Sequence, residues 1–229
     1  MTTTTGSWPA GFVLNDRVEG PSAEIVEGFR SIPTANISDA IGRVTGAVGL
    51  VSYGGPQIMA GPAVTVRVRP GDNLMIHKSL DLVRPGDVLV IDAGASISQA
   101  VIGGNMRMMM IQRGLSGVIV DGAIRDVAEF LEGGLPTLAK GVNHRGPAKD
   151  GPGEINVPIS CAGMAVLPGD IVVGDQDGAV VVPRAEAKAI LAAARAVVDH
   201  ELELRAVLDA GTIQHGRFDS ILRSKGCPV

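Results

Sequence analysis

The amino-acid sequence predicts an α/β fold, and three observations carry this prediction. Glycine supplies 31 of the 229 residues, about twice its average share, which indicates many tight turns. Aromatic residues supply only 3%, so the core has to consist of aliphatic side chains and methionine. Continuous runs of Val, Ile and Leu, such as residues 88–92 and 117–121, are typical of strands that are buried on both faces.

Helices and strands alternate along the predicted chain. Ser22 is a preferred N-cap residue for a first helix, and Asn36 or Ser38 would cap a second. Helices are predicted, where the residue pattern is amphipathic, at 22–30, 36–42, 74–83, 99–113, from about 126, and at 184–210. Strands are predicted, where residues alternate or form short apolar runs, at 63–69, 88–92, 117–121, 136–140, 171–174 and 179–182.

The tripeptide Pro-Gly-Asp recurs at residues 70–72, 85–87 and 168–170. Proline followed by glycine suits a type II turn, because glycine accepts the positive φ of the second central position. We therefore predict three turns rather than a catalytic repeat. The chain shows no solenoid repeat and no clear linker, so we predict an N-terminal arm at 1–20, one domain at 21–210 and a C-terminal tail at 211–229.

Charge and composition exclude several classes of protein. The formal net charge is −4, whereas a nucleic-acid binder that contacts phosphates shows a basic surplus. No apolar run approaches the ~20 residues of a membrane span, and the N-terminus lacks the pattern of a signal peptide. Two cysteines exclude a disulfide scaffold. We therefore expect a cytoplasmic protein that binds neither nucleic acid nor membranes.

Several common catalytic and nucleotide-binding motifs are absent from the sequence. It contains no G-x-G-x-x-G, P-loop, G-x-S-x-G, C-x-x-C or H-E-x-x-H. The histidines are scattered, and we predict them to be surface or hydrogen-bonded residues rather than metal ligands: His77, His144, His200 and His215.

One segment combines residues that can bind an anion and a metal ion. Gly103 and Gly104 stand at a predicted helix start, where uncovered N–H groups and the helix dipole favour an anion. Farther along, a buried strand ends in a glycine turn that places Arg125 and Asp126 at the next helix start. Arginine can clamp a carboxylate, and aspartate is a ligand for hard metals. In the structural alternative, Asp126 and Glu129 simply form a capping box.

The spacing from Gly104 across twenty residues to Arg125-Asp126, and across two more to Glu129, resembles a known family. This family is the class II pyruvate aldolases, typified by 4-hydroxy-4-methyl-2-oxoglutarate/4-carboxy-4-hydroxy-2-oxoadipate aldolase, with the related regulator of ribonuclease activity A proteins. The resemblance also includes the segments 84–92, 141–158 and 168–183. It implies a three-layer β/β/α swivelling fold, assembled as homotrimers or hexamers with sites at subunit interfaces.

The resemblance also implies roles for individual residues. Asp126 would hold Mg²⁺ or Mn²⁺, partly through water. Arg125 would bind the keto acid and stabilise an enolate. Backbone N–H groups after Gly104, at Asn105 and Met106, would hold the pyruvate carboxylate.

Two further residues bear on the implied site. An acidic residue from the long C-terminal helix of a neighbouring subunit would complete the outer shell of the metal, with Glu201 as the first choice and Glu203 as the alternative. Aldolases of the family often carry an acidic residue where this chain has Asn105. The chain therefore lacks the carboxylate proposed to assist proton transfer to the leaving aldol oxygen. Because the motif contains no histidine, a metal-linked water is the predicted base.

The reaction implied by the resemblance is metal-dependent cleavage of 4-hydroxy-2-oxo acids to pyruvate through a metal-stabilised enolate. Oxaloacetate decarboxylation passes through the same enolate and is expected as well. Two alternatives stay open at this point. One is a non-catalytic regulator that binds an RNA-degrading enzyme, and the other is a Schiff-base aldolase that uses Lys140 at a strand end.

Overall fold

The computed structural model describes residues 8–55, 57–212 and 215–229. The strands are β1 (Phe12–Leu14), β2 (Val51–Ser52), β3 (Met59–Val68), β4 (Val88–Ile102), β5 (Gly117–Ile124), β6 (Thr137–Val142), β7 (Gly153–Ile155), β8 (Ile159–Cys161), β9 (Met164–Val166), β10 (Ile171–Gly174) and β11 (Ala179–Val182). The helices are α1 (Ala23–Phe29), α2 (Thr34–Ala40), α3 (Leu74–Ser79), α4 (Gly104–Gln112), α5 (Val127–Leu131), α6 (Ala187–Asp209) and α7 (Asp219–Ser224).

Four parallel strands form the centre of the main sheet. β3 pairs with β4, β4 with β5, and β5 with β6, in chain order. β7 pairs antiparallel with β3, β1 pairs with β7, and β2 pairs antiparallel with β6. Because parallel strands end at the same edge of a sheet, the loops after β4 and β5 lie side by side.

The main sheet separates two hydrophobic cores. On β4, Leu89 and Ile91 pack beneath α3, α4 and α5, whereas Val88 and Val90 face β8 to β11. This alternation follows from the period of two in a strand. The predicted β/β/α layering of an α/β fold is therefore present. Helices α1, α2 and α6 form a further layer on the outer face of β10 and β11.

The prediction of a helix at 99–113 is wrong in its first part. Residues 99–102 belong to β4, which continues past Asp92 and pairs with β5 as far as Ile102 opposite Ile124. The register shifts three times along this extension, so its residues follow no simple alternation. The helix itself, α4, begins only at Gly104.

The N-terminal region departs from its prediction in two respects. Phe12 pairs with Gly153, so part of the predicted arm is a strand of the main sheet, while residues 1–7 lie outside the described residues. Asn36 and Ser38 lie inside α2, whose N-cap position is occupied by Pro33. The predicted domain boundaries stay a prediction.

The three Pro-Gly-Asp segments form turns, as predicted. Their glycines have positive φ values of 73°, 91° and 83°, at Gly71, Gly86 and Gly169. In each turn the aspartate N–H donates to the carbonyl three residues earlier, and the aspartate side chain is buried. Each carboxylate also ties its turn to a more distant segment. Asp72 accepts the N–H of Asp150, Asp170 accepts the N–H of Arg184, and Asp87 accepts the guanidinium of Arg17.

The long helix predicted at 184–210 is observed as α6, with 23 residues. It packs against α1 and α2 through a short apolar stripe that includes Leu191 and Ala194. Across the described ranges of the chain, no helix combines the length and apolarity needed to cross a bilayer.

Candidate active site

The two halves of the sequence motif meet at the carboxyl edge of the main sheet. α4 follows directly on β4, and the Arg125-Asp126 pair follows directly on β5. The backbone N–H of Arg125 donates to the carbonyl of Ile102 at 3.1 Å, which joins the two loops. The parallel pairing of β4 with β5 thus brings together Gly104 and Arg125, which are separated by twenty residues in the sequence.

Asp126 does not cap the helix that it precedes. Its backbone lies in the left-handed region, at φ 59° and ψ 40°, and its side chain forms no capping hydrogen bond to α5. Instead, its Oδ2 accepts the backbone N–H of Gly104 at 3.0 Å and lies 3.5 Å from Nε of Arg125. The capping box is therefore not formed. A non-glycine residue held in this conformation is a feature that clusters at functional sites.

Both glycines at the start of α4 lie in close contact with side chains of the segment 125–129. A Cβ on Gly103 would lie 2.5 Å from Oδ2 of Asp126 and 2.9 Å from Cγ of Arg125. A Cβ on Gly104 would collide with the carboxylate of Glu129. The two halves of the motif are therefore in direct contact. The sequence had indicated only that the two glycines leave backbone N–H groups exposed.

The first turn of α4 leaves backbone donors open. The helical ladder begins with the N–H of Arg107, which donates to the carbonyl of Gly103 at 3.0 Å. The N–H of Gly104 is taken by Asp126. The N–H groups of Asn105 and Met106 precede the ladder and have no acceptor within the helix. These are the two donors that the resemblance assigns to a carboxylate, and an anion is favoured there by the helix dipole.

A cavity of about 280 Å³ opens at this edge of the sheet. Its walls include four of the predicted site residues, namely Asn105, Met106, Arg125 and Asp126, while Gly104 and Glu201 lie outside its lining. Other segments complete it with side chains that the sequence did not point to: Asn73, His77, Pro147 and Lys149.

Two of these additional residues place positive charge and an imidazole in the cavity. His77 lies on α3 and is half-buried, and Lys149 lies on the exposed loop after β6. Burial, together with the charge of Lys149, lowers the pKa of His77 below its ordinary value of about 6.5. The imidazole is therefore mostly neutral at pH 7. No local pattern pointed to either residue, because each is distant in sequence from the motif.

Asp72 connects the two segments that carry His77 and Lys149. Its carboxylate is fully buried and accepts the N–H of Leu74 at 2.9 Å, of Asp150 at 2.8 Å and of Gly151 at 3.0 Å. Burial alone would raise the pKa of Asp72, but these three donors and the charge of Arg69 together outweigh it and hold the pKa below its ordinary value. The ionised carboxylate thereby fixes the start of α3 against the loop.

The donor set at Asp126 fits a hard divalent cation that keeps most of its water. Among the residues the structure describes, no group of three or more His, Cys, Asp and Glu side chains could hold a metal ion. Mg²⁺, however, is commonly held by one or two carboxylates and several waters. The Asp126 side chain is 42% exposed and its Oδ2 alone is engaged by Gly104, so its second oxygen is available.

The glutamates predicted for the outer metal shell lie outside this cavity in the same chain. Glu201 accepts the amide of Asn36 at 2.7 Å and a guanidinium N–H of Arg205 at 2.7 Å, and these donors lower its pKa. Glu203 lies 4.0 Å from His200 on the exposed side of α6. The predicted contribution from a neighbouring subunit stays a prediction.

Lys140, the candidate for Schiff-base chemistry, is also absent from the cavity lining. Its Nζ lies 3.3 Å from Oδ1 of Asp121, and Oδ2 of Asp121 accepts the N–H of Ala162 beside β8 and β9. The lysine thus belongs to an ion pair on the side of the second β layer.

A second, larger cavity of about 410 Å³ lies between α1 and α6. Its walls combine aliphatic side chains with Glu24, Lys188 and Arg195. The smaller cavity is the better candidate for the active site, because it joins an ion-pairing arginine, a strained aspartate and open backbone donors.

Comparison with known proteins identifies the family to which the chain belongs. The sequence model of the RraA-like family, described as Aldolase/RraA, matches residues 34–181. A Halalkalibacterium halodurans protein, provisionally named 4-hydroxy-4-methyl-2-oxoglutarate aldolase, is 36% identical over 198 residues, which are 81% of this chain and 94% of the relative. The protein named 4-hydroxy-4-methyl-2-oxoglutarate aldolase of Thermus thermophilus is 38% identical over 132 residues, covering 58% of this chain and 80% of the relative.

A solved structure supports the same relationship at the level of the fold. The structure of the RNA-processing inhibitor RraA from Thermus thermophilus superposes with a TM-score of 0.61 and 34% identity. The match covers 66% of this chain and 93% of that one. The resemblance seen in the sequence and the expected fold are both confirmed, and the chain belongs to the RraA-like family.

Proposed function

We propose that this protein is a divalent-metal-dependent lyase that cleaves 4-hydroxy-2-oxo acids of the 4-hydroxy-4-methyl-2-oxoglutarate type to pyruvate, and that it also decarboxylates oxaloacetate. The observation that carries the proposal is the Arg125-Asp126 pair. It is turned away from α5 and toward the first turn of α4, at the wall of a small cavity. The aldolase names of the relatives support the reaction type.

The residues of this chain can hold a keto acid in a reactive position. The open N–H groups of Asn105 and Met106 would bind its carboxylate. The guanidinium of Arg125 would then place a fixed positive charge where the keto oxygen becomes an oxyanion. Mg²⁺ or Mn²⁺, held by Asp126, would supply Lewis-acid stabilisation of the same charge when bound. A cavity of about 280 Å³ suits a small acid, since drug-sized ligands occupy roughly 300–1,000 Å³.

The open geometry of the site favours assembly with other copies of the chain. The side chains of Arg125 and Asp126 are each 42% exposed, and charge stabilisation is stronger where water is excluded. Beside them, α4 exposes the apolar side chains of Met108, Met109 and Ile111. A neighbouring subunit that covers α4 would close the cavity and could bring Glu201 or Glu203 to the metal. We therefore propose that the chain assembles as a homotrimer or a hexamer. We also propose that it is a cytoplasmic protein.

Light scattering should give a mass of about three or six times the 23.5 kDa of one chain. The physical reason is burial of the exposed apolar side chains on α4 in a symmetric contact. The measurement should be made at micromolar concentration, with and without Mg²⁺. A mass of one chain under both conditions would contradict the proposed assembly and the shared site.

Removal of divalent metal should abolish pyruvate release. We expect EDTA to stop the reaction, and excess Mg²⁺ or Mn²⁺ to restore it, because a divalent cation at Asp126 would supply the Lewis-acid stabilisation of the enolate that Arg125 alone would not provide. A panel of oxaloacetate and substituted 4-hydroxy-2-oxo acids, followed by release of pyruvate, provides the measurement. Full activity in EDTA, or trapping of pyruvate on the protein by borohydride, would instead indicate Schiff-base chemistry.

A non-catalytic regulator that binds an RNA-degrading enzyme is the second candidate. It is favoured by the similarity to a structure named as an RNA-processing inhibitor. The same substrate panel separates the two functions. A regulator would release no pyruvate from any of the acids in the presence of metal, and it would bind an RNA-degrading enzyme with an affinity unaffected by the charge of Asp126.

A further inference from the structure

We propose that His77 is the catalytic base that removes the proton from the C4 hydroxyl of the aldol substrate. This assignment rests on the proposed function, because it concerns one step of that reaction. It replaces the metal-linked water expected from the sequence with a side chain of the protein.

The chemistry of aldol cleavage requires a proton acceptor at the C4 hydroxyl. In this chain the residue after Gly104 is Asn105, and a carboxamide cannot act as a base at neutral pH. Asp126 faces Gly104 and Arg125, and it is the residue proposed to hold the metal. The remaining titratable side chains on the cavity wall are His77 and Lys149.

The placement of His77 suits this role. It lies on α3, which packs on the same face of the main sheet as α4, and both helices line the cavity. No hydrogen bond joins its ring nitrogens to another side chain or backbone group in the described parts of the chain, so the ring is open to a substrate hydroxyl. Asp72 fixes the first turn of α3 by accepting the N–H of Leu74.

The charges around the imidazole keep it in the form that accepts a proton. Lys149 lines the cavity from the loop after β6, and Arg125 and Asp126 line it from the loop after β5. Burial and the charge of Lys149 lower the pKa of His77, which favours the neutral ring.

The other charged groups near α3 are paired among themselves. Lys78 on α3 pairs with Asp81, just after the end of the helix, at 3.0 Å. On the strand side, Arg69 pairs with Asp72 at 3.3 Å and with Asp150 at 3.7 Å.

The proposed step balances without another reactant. A ring nitrogen of His77 takes the C4 hydroxyl proton, and the O–H electron pair becomes the second bond of a C4 carbonyl. The C3–C4 bond breaks, and its electron pair forms the C2–C3 double bond, which moves charge to the C2 oxygen beside Arg125. The proton then passes from the imidazolium, directly or through water, to C3, which becomes the methyl group of pyruvate.

Oxaloacetate separates this step from the rest of the reaction. Its C3–C4 bond breaks with loss of CO₂, so no hydroxyl proton has to be removed. The two substrates should share the contacts of Arg125 and of the N–H groups on α4, and they should differ in their need for His77. The experiment therefore compares the two reactions in His77→Gln, with the full-length protein and saturating Mg²⁺.

We expect His77→Gln to lower kcat for aldol cleavage by about 100-fold or more, since general-base catalysis contributes roughly 10²- to 10⁴-fold. The kcat for oxaloacetate decarboxylation should change by less than about threefold. His215→Gln, on the exposed tail, is the matched control and should leave both rates unchanged. In His77→Ala, added imidazole should restore part of the aldol cleavage and leave decarboxylation as it is.

The pH dependence supplies a second readout. In the wild type, kcat/KM for aldol cleavage should decrease as the pH is lowered below the ordinary imidazole pKa of about 6.5, because His77 becomes protonated. His77→Gln should lose this acid limb.

The outcomes distinguish failure of the inference from failure of the proposed function. Equal losses in both reactions, or unchanged aldol cleavage in His77→Gln, would overturn the role of His77 and leave the proposed lyase intact. A wild-type protein that releases pyruvate from neither substrate would overturn the lyase, and the inference with it.

Discussion

Asp126→Asn should lower metal-stimulated pyruvate release by at least about 100-fold, while the melting temperature in EDTA moves by less than about 2 °C. Asparagine preserves the size of the side chain but removes its charge and replaces one carboxylate oxygen by an NH2 group. It tolerates the left-handed backbone at φ 59°, and its amide oxygen can still accept the N–H of Gly104. The substitution therefore removes the anion that would hold the cation and little else.

The comparison of melting temperatures with and without metal makes this test independent of turnover. A ligand that binds only the folded state raises stability in proportion to its affinity. Mg²⁺ or Mn²⁺ should therefore raise the melting temperature of the wild type and of Asp209→Asn, an exposed control at the end of α6. It should not raise that of Asp126→Asn. A variant that keeps most of its metal-stimulated turnover would show that Asp126 serves mainly to hold the first turn of α4.

The parts of the fold that were predictable are those whose side chains carry a simple pattern. The strands β10 and β11 were predicted with their observed bounds, since each is an unbroken apolar run that follows or precedes a turn. The extension of β4 beyond Asp92 was not predictable. Its residues 94–99 are largely exposed and its register shifts repeatedly, so pairing with β5, not local preference, holds it extended.

The candidate site also contains some residues that could be predicted from the sequence and others that could not. Arg125 and Asp126 were predictable because they follow a buried strand and stand at a fixed distance from Gly104. His77 and Lys149 come from separate parts of the chain, and the buried carboxylate of Asp72 is what holds their segments together. The sequence identified that aspartate only as the end of a turn, because a contact between distant segments leaves no local pattern.

Arg125→Lys should lower kcat for aldol cleavage and for oxaloacetate decarboxylation alike, each by about 100-fold or more. Both reactions place negative charge on the same C2 oxygen, so both depend on the group that faces it. Lysine keeps the positive charge but loses the planar guanidinium, with its rigid set of donors. In the structure this group lies between two glycines, since a Cβ on Gly103 would be 3.0 Å from its Nε, and one on Gly146 2.9 Å from its Nη1.

The two rates, measured together with the melting temperature, separate the role of the guanidinium from a structural one. Arg125 is 42% exposed and its contact with Asp126 is long, at 3.5 Å, so the fold should depend little on it and the melting temperature should hold within about 2 °C. Arg223→Lys, on the exposed side of α7, is the control for the exchange itself. Near-normal rates in Arg125→Lys would mean that charge alone is sufficient at the oxyanion. A loss confined to aldol cleavage would indicate that Arg125 acts in the proton-transfer step. The enolate would then be stabilised by the metal and the backbone donors of α4.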